Sequence, residues 1–192
     1  QGGSGPVLAE ADALDAAGIP YAALWAQDWS GRREFSPGRF GVVWRWVPDD
    51  TLYPDLRGLT DALHARGIRF LAYANPFVVP EVDHVDAMAA MGLLITDETG
   101  APYLFQSVNT MAASPDFTRP ETYAYTSGFF RAMVEDLGID GWMADYGEWL
   151  PLDAQLADGS DARLAHNLYP TAWQRASRGA LDARRPGGAY VQ

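Results

Sequence analysis

Gly138-Ile139-Asp140-Gly141-Trp142-Met143-Ala144-Asp145-Tyr146-Gly147-Glu148-Trp149-Leu150-Pro151 is a short apolar strand that runs directly into a carboxylate. A second carboxylate, Glu148, comes three residues later, and aromatic side chains flank both. The segment upstream carries the clearest helix signals in the chain. Thr118 is placed to cap it, and Glu121 completes a capping box. Pro120 sits in the first turn, where a missing N–H costs nothing. Phe130, Met133, Val134 and Leu137 form a stripe at helical spacing, and Gly138 is the expected C-terminal glycine. A helix feeding an apolar strand that ends on an acid is the repeating unit of a parallel α/β protein, whose chemistry gathers at the C-terminal ends of its strands.

The same alternation extends in both directions. Leu8 to Ala17 predicts a helix closed by Gly18, and Tyr21 to Trp25 a short strand. Leu56, Leu59 and Leu63 mark an amphipathic helix stopped by Gly67, and Ile68 to Ala74 a second strand ended by Asn75-Pro76. Val82 to Met91 predicts a helix, Ile95 to Phe105 a hairpin turning at Glu98-Thr99-Gly100, and Asp161 to Asp182 a largely helical stretch. Candidate strands near 21–25, 68–74, 111–115, 139–144 and 189–192 give about five parallel strands with outer helices. A closed (β/α)8 barrel needs eight strands and about 250 residues. The expected fold is therefore α/β, as a fragment of such a barrel: the chain has no initiator Met and stops inside a strand pattern. The alternative is an open five-stranded doubly wound sheet.

Composition narrows the function classes. At 192 residues and 48% hydrophobic, the chain can bury a core. It lacks Cys, so neither a disulfide framework nor a Cys-based zinc site is available, and its three histidines, His64, His84 and His166, are scattered. All 14 basic residues are Arg, and the net charge is −11. That balance opposes a nucleic-acid partner, whose affinity rests on phosphate neutralisation, and an anionic membrane surface. No apolar run approaches a transmembrane length.

The strand ends collect Gln27, Asp28 and Trp29 after the first strand, Asn75 after the second, Asp116 after the third, and Asp145 and Glu148 after the fourth. Paired carboxyl groups are required for glycoside hydrolysis, with the separation setting the stereochemistry. Trp29, Trp44, Trp46, Trp142, Tyr146 and Trp149 add aromatic faces of the kind that pack on sugar C–H surfaces. The bland reading of each Trp is core packing, and of His166 a structural role. No G-x-S-x-G elbow is present, so a Ser hydrolase is unsupported.

Trp142 to Pro151 resembles glycoside hydrolase family 31, closest to its sulfoquinovosidase branch. Trp25-Ala26-Gln27-Asp28-Trp29-Ser30-Gly31, Trp44-Arg45-Trp46, Phe70 to Pro76, Asp116 to Glu121 and His166-Asn167 through Trp173 match in the same order. The resemblance implies a (β/α)8 barrel of which residues 1–192 are the N-terminal half, with a preceding β-sandwich, the C-terminal barrel half and further β domains lying outside. It implies Asp145 as nucleophile of a retaining, cofactor-free α-glycosidase, with Glu148 as a neighbouring support and no metal. The substrate-binding set is Gln27, Asp28, Trp29, Arg39, Trp44, Asn75, Asp116 and Trp142. The sulfonate pattern includes an Arg three residues before Trp44. Gly41 stands there instead, and Arg39, five residues before, is the substitute. An α-glucoside or α-xyloside, or a non-catalytic sugar-binding remnant, is the alternative. The family's acid/base Asp would lie beyond Gln192, so these residues alone are expected to be inactive. The implied partner is a small carbohydrate, the implied compartment the cytoplasm, and any homo-oligomer would form through the full-length enzyme.

Overall fold

The structure is a computed structural model and describes residues 2–80, 83–108 and 110–182. In chain order the elements are α1 (Ser4–Ala16), β1 (Ala23–Trp25), β2 (Arg32–Ser36), β3 (Arg39–Val42), α2 (Leu56–Ala65), β4 (Arg69–Ala74) and α3 (Asp83–Ala90). Next come β5 (Phe105–Gln106), β6 (Met111–Ala112), α4 (Pro120–Glu135), β7 (Gly141–Ala144), α5 (Ala162–Ala165) and α6 (Tyr169–Asp182). The chain divides into two compact units. One comprises Gln1–Ala74, Phe129–Ala144 and Leu181–Gln192, the other Asn75–Gly128 and Asp145–Ala180.

The first unit is built on a parallel sheet of order β1-β4-β7. Ala23 to Trp25 pairs with Arg69 to Leu71, and Leu71 to Ala74 with Gly141 to Ala144. The strand order keeps the chain order with no reversal, unlike a doubly wound sheet, which switches direction at its centre. The carboxylate of Asp55 accepts a hydrogen bond from Gly58 N at 2.8 Å to start α2, whose Leu56, Leu59 and Leu63 are buried as their spacing predicts. Gly138 ends the helix–strand junction at φ 68°, and a Cβ there would stand 2.7 Å from the Thr60 hydroxyl oxygen. Asp140 then ties β7 to β4. Its N–H donates to Phe70 O, and its carboxylate accepts from Phe70 N (3.0 Å) and Arg69 Nη1 (3.3 Å) and pairs with His64 Nε2 (2.6 Å).

A β2–β3 hairpin, turning at Pro37-Gly38, was not among the expected elements. Its strands are mostly exposed and lack apolar alternation, so only the Pro-Gly pair announces it. The Arg32 guanidinium covers the Phe40 ring at 4.8 Å.

The second unit corrects the strand count. Residues 111–115 do not form a parallel strand: β6 pairs antiparallel with β5, and Ala113 and Pro115 form antiparallel bridges to Val78 and Leu94. Pro115 brings no N–H to a ladder. The described parallel strands therefore number three, not five, and the strand expected at 189–192 lies outside the described residues, as does Val82 of the helix expected from 82 to 91. The turn at residues 97–101 is present, closed by Asp97 N donating to Ala101 O and a Thr96–Pro102 bridge. Thr118 does not cap α4. The helix starts at Pro120, and the Thr118 hydroxyl donates to Asp116 instead. The stretch from 161 to 182 is helical but broken, α5 being capped by Asp161 on Arg163 N. No helix among the described residues is long and apolar enough to cross a membrane.

Candidate active site

In the first unit, the loop after β1 is held by its own side chains. Asp28 is 1% exposed. It accepts from the Tyr53 hydroxyl (2.7 Å) and from Gly2 N (2.6 Å). Burial, and then the hydrogen bond to the Asp28 carboxylate, push the Tyr53 hydroxyl far above its ordinary range. Trp29 is fully buried and its indole N–H donates to Tyr73 O at 2.6 Å, fastening the loop to β4. Gln27, just before them, is half-buried. Arg39 is exposed at the start of β3, opposite Ser36, where β2 carries a register shift. Trp44 is buried. Arg45, which sequence reasoning passed over, is pinned by Ser30 O (2.9 Å), Pro48 O (3.3 Å) and the Asp49 carboxylate (3.1 Å).

Trp142 lies in the core of this unit. It is 0% exposed and stacks on Phe130 from α4, with centroids 4.9 Å apart and planes 15° apart. Strand alternation puts it on the opposite face from Met143. Its ring packs against the core side of α4.

In the second unit, Asn75 and Asp145 are the residues that come directly after β4 and β7, and Ala74 and Ala144 are register partners. Each residue is thus bonded directly to the end of a paired parallel strand. Asn75 is buried, and its Oδ1 accepts from Phe77 N at 3.0 Å, an Asx turn around Pro76. Asp145 is half-buried and Glu148 exposed. Between them, Tyr146 adopts φ 59°, a left-handed conformation that costs a non-glycine residue about 1–3 kcal/mol. The Tyr146 ring lies 5.1 Å from Phe77 and 6.0 Å from Trp149, and Phe77 is 5.8 Å from Trp149 and 5.5 Å from Phe105. Burial raises the Tyr146 hydroxyl above its ordinary range, and the charges of Asp145 and Glu148 add to it. Both carboxylates therefore project their fields onto one phenol.

Asp116 stands elsewhere than expected. It lies just past the β6 bridge region rather than at the end of a parallel strand. Its carboxylate accepts from Thr118 N (2.9 Å), the Thr118 hydroxyl (2.6 Å) and Ala157 N (2.7 Å), so it closes a loop. His166 pairs with Leu150 O at 2.6 Å, the structural role expected of it. No group of three potential metal ligands occurs among the described residues. Two cavities of about 750 and 330 Å³ lie in this unit, and neither is lined by Asp145 or Glu148. Trp173, absent from the sequence-level site, donates its indole N–H to Asp145 O at 3.1 Å.

The Glycosyl hydrolases family 31 TIM-barrel domain matches residues 5–191. Sulfoquinovosidase of Escherichia coli strain K12 is 36% identical over 182 residues, covering 95% of this chain and 27% of that protein. Sulfoquinovosidase of Agrobacterium fabrum is 34% identical over 94% of this chain and 27% of its own length. A family 31 sulfoquinovosidase from E. rectale, solved with an aza-sugar inhibitor, superposes with TM-score 0.93 at 30% identity, over 99% of this chain and 29% of that one. The chain thus spans a little over a quarter of the length of these sulfoquinovosidases.

Proposed function

The chain belongs to the glycosyl hydrolases of family 31, and from that membership we propose that the full-length protein is a retaining α-glycosidase acting on α-sulfoquinovosides. Residues 1–192 are then the N-terminal half of its catalytic (β/α)8 barrel, with the preceding β-sandwich and the remaining barrel and β domains supplied by other parts of the polypeptide. The observation that carries the reading is the position of Asp145: first residue after the parallel strand β7, half-buried, beside a left-handed Tyr146.

A carboxylate oxygen of Asp145 attacks C1 of the sugar as the bond from C1 to the leaving oxygen breaks. A general acid beyond Gln192 gives that oxygen its proton. Water then attacks C1 of the glycosyl-enzyme, its proton returns to the same group, and the Asp145 carboxylate is released with configuration retained. Glu148 supports the site from the same loop. The family resemblance assigns Gln27, Arg39 and Trp44 to the sugar, with the Arg39 fork on the sulfonate. Asp28, Trp29, Asn75, Asp116 and Trp142 serve by holding loops and core.

Asp145→Asn in the full-length protein should abolish turnover of an aryl α-sulfoquinovoside; a rate like that of the wild type rejects the reading. Gly41, where the sulfonate pattern calls for Arg, favours an α-glucosidase or α-xylosidase as the second reading. A neutral aryl α-glucoside turned over faster than the sulfonated one would select it.

A further inference from the structure

The pairing of β4 with β7 ends at Ala74–Ala144, one residue short of Asp145. A carbonyl beyond the end of a ladder must take its hydrogen bond from elsewhere, and a buried indole N–H must find an acceptor. Here each meets the other: Trp173 Nε1 donates to Asp145 O at 3.1 Å, and Trp173 is fully buried. The contact belongs to a broader clamp. Gly147 adopts φ 116°, and a Cβ there would stand 3.0 Å from Pro170 Cα and 3.6 Å from Trp173 Cδ1. The loop backbone therefore approaches the first turn of α6 as closely as the chain permits. That turn is itself anchored, because the Tyr169 hydroxyl donates to Pro115 O at 2.7 Å and Phe117 lies against both Tyr169 and Trp173. Residues 145 and 147 are thus gripped from α6, with the left-handed Tyr146 spanning the interval.

We propose that Trp173 is a positioning residue for Asp145, fixing the direction of its Cα–Cβ bond by holding its peptide carbonyl; the inference rests on Asp145 being the nucleophile. A carboxylate whose backbone anchor is loosened still lies in the site but meets C1 less often at the attacking angle. The loss falls on the chemical step and not on sugar binding.

The test uses the full-length protein, with 4-nitrophenyl α-sulfoquinovoside as the probe. Trp173→Phe keeps an aromatic ring and removes the N–H. Its kcat should fall about 10- to 100-fold, as misplacing a reacting group by about 1 Å does, with KM within about twofold of the wild type. Gly147→Ala, which pushes the same loop off Pro170, should show the same split and carries the test on its own if Trp173→Phe does not fold. Leu63→Ala opens a cavity on the buried face of α2, at none of the clamp's residues, and should lower Tm while kcat per folded molecule stays. A Trp173→Phe enzyme with unchanged kcat, beside an inactive Asp145→Asn, overturns the clamp and leaves the nucleophile standing. A Leu63→Ala enzyme as slow as Trp173→Phe also overturns it, because general destabilisation alone would then account for the loss. An active Asp145→Asn brings down the assignment and the clamp together.

Discussion

Asp116→Ala should unfold a loop before it slows a reaction. The Asp116 side chain is 1% exposed and its carboxylate accepts three hydrogen bonds, from Thr118 N at 2.9 Å, the Thr118 hydroxyl at 2.6 Å and Ala157 N at 2.7 Å. Hydrogen bonds to a charged group contribute about 1.5–3 kcal/mol each, and a buried donor left without a partner costs about 1–3 kcal/mol. All three donors are only partly buried, so water recovers some of the loss. The sum is held to the low end, about 3 kcal/mol. Asp116→Asn keeps an acceptor for Thr118 but turns an NH2 toward Ala157 N, and should lose about half as much. Thermal unfolding of the full-length protein reports the cost, and amide hydrogen exchange at Thr118 and Ala157 reports where it falls. The rate on an aryl α-glycoside per folded molecule should stay near the wild-type value. A variant as stable as the wild type, with the protection of both amides unchanged and KM raised tenfold, would refute this reasoning and return Asp116 to the substrate.

Arg39→Ala should raise KM for a sulfonated glycoside about tenfold or more while leaving a neutral α-glucoside unaffected; equal effects on both would remove Arg39 from sulfonate recognition. Asp140→Ala leaves Phe70 N and His64 without their acceptor and should cost about 2–4 kcal/mol, more than His64→Ala, because His64 is one partner of three; the order of urea midpoints checks it. The Thr99 hydroxyl and N–H, then Ala101 N, hold the Asp97 carboxyl below its ordinary range. A lowered folded value means that this contribution is complete above the unfolded pKa of about 3.9 and is lost as pH falls through the lower folded one. A carboxyl carbon NMR titration should show the depressed midpoint, and Thr99→Ala should return it toward the ordinary value.

Much of the fold was legible along the chain. Leu56, Leu59 and Leu63, and likewise Phe130, Met133 and Val134, are buried because period 3.6 is a local property that tertiary packing did not override. Gly138 occupies the positive φ its place after a helix demands. The residues at 111–115 misled because apolar composition says nothing of strand direction, and antiparallel partners 78, 94, 105 and 106 claimed them. The hairpin at β2–β3 stayed hidden because two exposed strands need no apolar alternation.

The candidate site divides along the same line. That an acid comes after an apolar strand at residue 145, with another three residues on, is written in the order of residues, since the end of a strand is bonded covalently to the next residue in the chain. Which acids, amides and indoles are spent on the protein itself is not so written. Asp28, Trp29, Asp116 and Trp142 carry the right chemistry in the right neighbourhood, yet their donors, acceptors and ring faces are occupied by Tyr53, Tyr73, Thr118 and Phe130. Those partners lie from 2 to 44 positions away, and Trp173, 28 residues beyond Asp145, reaches its carbonyl only because α6 folds back onto the loop. Hydrogen bonds and ring contacts act over a few ångströms of space, and only the folded chain decides which distant residues come within that range.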